Sequence, residues 1–141
     1  MIGERLRDLS VATQDGGRVR LGGNQRDATI LLLPHDDCDP CGELVTSTQD
    51  RADDIRWWGA RIVTAQPDQR LREVFDLGPD TAAAGIVDRY GTVWRVDTAD
   101  RDDHDPLPDA GEIEEWAKFL GTQCPECGVP DQPDTGQWPV L

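Results

Sequence analysis

The segment Ala28-Thr29-Ile30-Leu31-Leu32-Leu33 carries no charge, and four residues separate it from Cys38-Asp39-Pro40-Cys41. A short, nearly continuous apolar run with a β-branched start reads as a strand buried on both faces. From Gly42 to Arg56 the spacing turns helical, with Leu44, Thr48, Ala52 and Ile55 on one face. Pro40 falls in the first turn, where a missing N–H costs little. The two cysteines therefore stand on a strand-to-helix junction. Free N–H groups and the positive end of the helix dipole favour a thiolate there. This one juxtaposition predicts a central strand feeding a helix, with thiol chemistry at the joint.

The remaining pattern extends that frame. Leu9–Thr13 and Arg18–Leu21 flank the turn Asp15-Gly16-Gly17 and read as a hairpin. Trp57-Trp58-Gly59 ends the first helix, and 60–65 is a second strand. Pro67-Asp68 opens a short helix with Leu71, Val74 and Phe75 inward, stopped by Gly78-Pro79. Gly85–Asp88 and Thr92–Val96 form a second hairpin through Arg89-Tyr90-Gly91. The last helix runs from an N-cap at Asp109, with Glu112 three residues on, to Gly121. Ile113, Trp116, Ala117 and Leu120 would be its inward face. The order is ββ, βαβ, α, ββ, α, with the parallel pair expected at the centre of the sheet and joined by a right-handed crossover.

A chain of 141 residues is long enough for one well-buried core. The net charge of −14 argues against nucleic acid or an anionic membrane as partner, because both attract basic surfaces. Asp supplies 21 of the 28 acids and Lys118 is the lone lysine, a bias of genome or habitat. No stretch of 18 apolar residues suggests a membrane span. The start, Met1-Ile2-Gly3-Glu4-Arg5, lacks an apolar leader core, and a cytoplasmic protein is expected. In that compartment thiols rest reduced, so four cysteines suggest redox or metal work before structural cross-links.

The chain resembles the redoxin part of the thioredoxin superfamily, that is, peroxiredoxin-like proteins and thioredoxin-like thiol reductases. The resemblance spans residues 3–121. It rests on Gly-x-x-Leu-x-Asp-Leu at 3–9, the Asp15-Gly16 turn, the apolar strand ending at Pro34, Cys38-Asp39-Pro40-Cys41, and Ile86-Val87-Asp88-Arg89-Tyr90-Gly91. It implies a thioredoxin-like (glutaredoxin-type) three-layer α/β/α sandwich with an N-terminal β-hairpin, over residues 1–122. Residues 123–141 would form a tail holding a second Cys-x-x-Cys and several prolines.

By the same resemblance Cys38 is the attacking thiol and Cys41 the resolving one. The activity implied is that of a disulfide reductase or a peroxiredoxin-like antioxidant enzyme, working through a redox-active disulfide bond. Its partners would be a dithiol electron donor and a protein disulfide or small oxidant, with a homodimer as one assembly; no cofactor is implied. Two family features differ. Thiol-exchange members place a cis-proline before the first strand of the late hairpin, where this chain has Thr81-Ala82-Ala83-Ala84. The Pro, Thr or Ser, Cys spacing of the peroxidases is replaced by Pro34-His35-Asp36-Asp37-Cys38. Rival readings are a non-catalytic binding module of this fold and an atypical hydroperoxide reductase.

Neighbouring charge pulls Cys38 two ways: the helix end favours its thiolate, whereas Asp36, Asp37 and Asp39 oppose it. His35 could offset them, although it stands three residues away on an extended segment. The second pair, Cys124 and Cys127, invites a four-thiolate zinc reading with the first. Yet 82 residues lie between Cys41 and Cys124, and a last helix of about twelve residues would carry the chain roughly 18 Å from the first pair. The second pair is therefore read as a second redox or structural pair in the tail, with disulfide, thiol and zinc ligation left open, and no metal ligand is assigned. The loop 98–105 lacks the glycine and the closing acid of a calcium loop, and reads as solvated. The tryptophans read as packing, with Trp57 or Trp58 partly exposed.

Overall fold

The computed structural model describes residues 3, 5–6, 9–22 and 25–122. Cys124, Cys127 and the proline-rich tail lie outside the described residues. Strands β1 (Leu9–Ala12) and β2 (Arg18–Leu21) form the antiparallel N-terminal hairpin. Asp15 closes its turn, accepting from the Thr13 hydroxyl and from the Gly17 N–H, while Gly16 takes φ 93°.

A four-stranded sheet follows, in the order β4 (Ala60–Thr64), β3 (Ala28–Leu33), β5 (Thr81–Val87), β6 (Val93–Asp100). β3 pairs with β4 in parallel and with β5 antiparallel. All six β3 side chains are buried. Ile30 and Leu32 face one layer, with Ile55, Ile113 and Ala117. Leu31 and Leu33 face the other, with Leu9, Val11, Leu21, Leu71 and Phe75. A two-sided strand explains why the sequence there lacks the usual alternation. Helices α1 (Asp39–Gln49), α2 (Ala52–Trp57) and α4 (Ala110–Gly121) contribute to the first layer. Helix α3 (Gln69–Val74) and the hairpin make up the second. This is the expected three-layer α/β/α architecture.

Three details differ from the sequence expectation. The helix expected over 42–56 is two helices, parted at Asp50-Arg51. Thr48 is fully buried and returns its hydroxyl proton to the Leu44 carbonyl at 2.7 Å, a bond that weakens and bends a helix locally. Second, only β3 of the parallel pair is central; β4 is an edge strand of this sheet. That edge is partly covered by the hairpin, through the Thr13–Ala65 bridge and the Gln14 N–H donating to Thr64. Third, β5 begins at Thr81, so Thr81–Ala84 is strand and not the approach to it.

Other local signals behave as read. Asp109 and Glu112 form the reciprocal capping box of α4. Asp88 is buried because its carboxylate accepts from the Tyr90 and Thr92 N–H groups and from Trp94 Nε1. Gly91, at φ 89°, lets the chain turn back there. The Leu6 N–H donates to the Gly91 carbonyl, which ties the N-terminal segment to this hairpin. Trp57 is 81% exposed, whereas Trp58 is half-buried.

Candidate redox site

β3 ends at Leu33, residues 34–38 form the connection, and α1 starts at Asp39. Cys38 is the N-cap of α1, with φ −121° and ψ 116°. No side chain caps this helix end, and Cys38 stands as the N-cap at the positive end of the α1 dipole. One turn on, the Gly42 N–H donates to the Cys38 carbonyl and closes the first helical bond. Cys41 points inward and is 2% exposed. Both thiols are free, and their sulfurs lie within 4.8 Å of each other.

The chain's two histidines converge on these sulfurs. His104 Nε2 lies 3.1 Å from Cys38 Sγ, and His35 Nδ1 lies 3.3 Å from Cys41 Sγ. The rings meet edge to face, with His35 Nδ1 and His104 Nε2 3.2 Å apart. His35 Nε2 is 2.8 Å from the carbonyl oxygen of Asp80. A carbonyl only accepts, so His35 Nε2 donates to it and Nδ1 is the ring nitrogen turned to the sulfurs. The His35 backbone N–H also donates to Cys41 Sγ at 3.3 Å. Burial nevertheless dominates at Cys41 and pushes its thiol up to about 11, with Cys38 adding a smaller upward push.

His104 arrives on the segment after β6, and Arg101 anchors that segment. The Arg101 guanidinium grips the Asp80 carboxylate with bonds of 2.8 and 2.9 Å and donates to the Asp36 carbonyl at 2.9 Å. That grip holds the Asp80 carboxyl below the usual carboxylate range. Asp37 and Asp80, at φ 47° and 60°, both take a left-handed conformation beside the site. The carboxylates of Asp36, Asp37 and Asp39 belong to exposed residues. An open cleft, lined by Gln14, Pro34, Asp37, Thr46 and Gln66 among others, leads to Cys38 and His35.

Both expected site cysteines therefore come together, and Cys124 and Cys127 lie outside the described residues. The sequence reading weighed His35 as an offsetting charge for Cys38 from three residues away; its Nδ1 makes its 3.3 Å contact with Cys41 Sγ. It missed His104 altogether, reading its loop as solvated. The available signal was composition and spacing: the chain has two histidines, and one stands in His35-x-x-Cys38-x-x-Cys41. No peptide bond among the described residues is cis, and the residue immediately before β5 is Asp80, whose carbonyl meets His35.

Solved structures with the same architecture are redox proteins by name. The chain aligns with AhpC from Enterococcus faecalis at a TM-score of 0.66 and 16% identity, over 88% of this chain and 98% of that one. The fold is thioredoxin-like. Peroxiredoxin Q from Xanthomonas campestris aligns at a TM-score of 0.64 and 12% identity, over 81% and 92%. A protein from Chlorobium tepidum described as a putative thiol:disulfide interchange protein DsbE aligns at 0.58 and 15%, over 86% and 97%. No family model matches this sequence, and no curated protein matches it. This chain thus shares the thioredoxin-like fold of these structures.

Proposed function

We propose that the protein is a thiol–disulfide oxidoreductase in which Cys38 attacks and Cys41 resolves. The observation that carries this reading is the pairing of each sulfur with its own imidazole nitrogen, at 3.1 Å for Cys38 and 3.3 Å for Cys41. Cys38 passes its proton to His104 Nε2, and its thiolate is stabilised by the end of α1. The thiolate attacks one sulfur of a partner disulfide. A new sulfur–sulfur bond forms as the partner's breaks, and His104 returns the proton to the leaving thiolate.

Resolution then falls to Cys41. With its thiol held near 11, Cys41 stays protonated at neutral pH and needs a base close by. His35 Nδ1 takes that proton, and Cys41 attacks Cys38 Sγ to release the second partner thiolate. The proton reaches it through the 3.2 Å contact between the two rings. Two electrons and two protons have moved to the partner, and Cys38–Cys41 is left as a disulfide. A dithiol donor reverses the process.

Turnover of an insulin-type protein disulfide with a dithiol donor tests the roles. Cys38→Ser should abolish it, and Cys41→Ser should accumulate a mixed disulfide between Cys38 and the target. Full activity in Cys38→Ser would sink the assignment. Peroxide-driven turnover faster than disulfide exchange would move the reading to the hydroperoxide reductases.

A further inference from the structure

We infer that His35, Cys38, Cys41 and His104 form a closed four-ligand site for a thiophilic divalent cation, best matched by Zn2+. Their four ligand atoms all lie within 4.8 Å of one another. A tetrahedral ion with bonds of about 2.0–2.3 Å sets its ligands about 3.3–3.8 Å apart. Three of the contacts, at 3.1, 3.2 and 3.3 Å, lie at or just below that spacing, and every remaining pair lies within 4.8 Å.

Three further features favour a cation over a purely hydrogen-bonded cluster. The first is the proton count. With His35 Nε2–H committed to the Asp80 carbonyl, each thiol that donates to its own imidazole leaves His35 Nδ1 and His104 Nε2 both as acceptors, and their lone pairs then face each other at 3.2 Å. A cation at the centre satisfies all four.

The second is orientation. A histidine ligand characteristically donates its other ring N–H to a carbonyl or carboxylate, which sets the ring and its tautomer. His35 is held in this way by Asp80. The backbone N–H of His35 also donates to Cys41 Sγ, a bond that suits a metal-bound thiolate. The third is donor chemistry. Two thiolates and two neutral imidazoles balance a 2+ charge and prefer Zn2+ to the oxygen-seeking Mg2+ and Ca2+. His35 and Cys41 are buried and Cys38 and His104 half-buried, so the site is shielded yet reachable from one side.

Binding moves no electrons: the ion takes both thiolates and displaces up to two protons to solvent. It does compete with the exchange reaction proposed above, since the same lone pairs serve both. A two-electron oxidant, such as a protein disulfide or a peroxide, would join Cys38 to Cys41 and expel the ion.

The test is titration with Co2+ of reduced, tag-free, full-length protein in which Cys124→Ser and Cys127→Ser remove the tail thiols. One Co2+ per chain is expected, with the visible bands of tetrahedral cobalt, a thiolate-to-cobalt charge-transfer band, and displacement by one equivalent of Zn2+. In the same background His104→Ala and His35→Ala should each weaken binding by more than about tenfold. Weak six-coordinate spectra without the charge-transfer band would overturn the site. So would unchanged affinity in a folded His104→Ala chain, a half-buried position whose loss leaves the core untouched. Dithiol exchange by the metal-free protein is read separately, so failure of the metal site and failure of the exchange mechanism are distinguishable.

Discussion

The middle and the end of β3 obey different physics. In the middle, Ile30 to Leu33 touch apolar side chains on both faces of the sheet, and their stabilisation is non-directional burial. At the end, within a few residues, the same chain carries His35, Cys38 and Cys41, whose contacts are few, polar and set by distance. The middle tolerates any well-packed apolar set of the right volume. The end depends on single atoms, one of them delivered by a residue 66 positions away. Rigidity comes from the first region and chemistry from the second.

Substitutions should separate the two. The largest effect expected is Cys38→Ser, which should reduce disulfide exchange to background while leaving the melting temperature within a degree or two of the parent, on the order of 0.5 kcal/mol. A large stability loss would mean that Cys38 belongs to the core and not to the site. Ile30→Ala should do the reverse, costing roughly 2–5 kcal/mol in denaturant unfolding with exchange preserved in the folded fraction. His104→Ala should slow exchange by about 10²-fold, the lower range for a lost acid–base group, with little change in stability.

Two smaller effects sharpen the boundary. At Gly85 an added Cβ would stand 2.7 Å from the Arg95 carbonyl oxygen, so Gly85→Ala should cost roughly 1–3 kcal/mol through the β5–β6 pairing. Asp80→Asn should slow exchange less than His104→Ala, because it loosens the Arg101 anchor of the His104 segment without removing the imidazole. The sign with pH follows from the lowered Asp80 carboxyl. Its ionised form is preferred in the folded state, so its contribution is present above the ordinary carboxylate range. It is lost as pH falls through the lower folded value. The Asn variant and parent should therefore differ at neutral pH and converge in acid, as measured by exchange rate or thermal melting.

Much of the fold could be read along the chain because its causes are local. Burial on both faces produced the uninterrupted 28–33 run. The Asp15-Gly16-Gly17 turn and the Asp109–Glu112 capping box each complete their bonds within a few residues. The break at Asp50-Arg51 escaped that reading, because the buried Thr48 hydroxyl had to choose between solvent and its own helix. Burial is a tertiary fact.

The candidate site divides along the same line. Cys38 and Cys41 were legible, since strand, junction and helix are contiguous and the N-cap geometry follows from them. His104 was not. It reaches Cys38 only because β6 runs antiparallel beside β5 and Arg101 ties the following segment to Asp80 and Asp36. No spacing rule links residues so far apart, and an aspartate-rich loop gives no local hint of a thiol partner. By itself the sequence determined a thioredoxin-like strand-to-helix junction with two thiols on it. Only the tertiary structure decided that two imidazoles would meet those thiols, because that depends on which loops the sheet brings to one end.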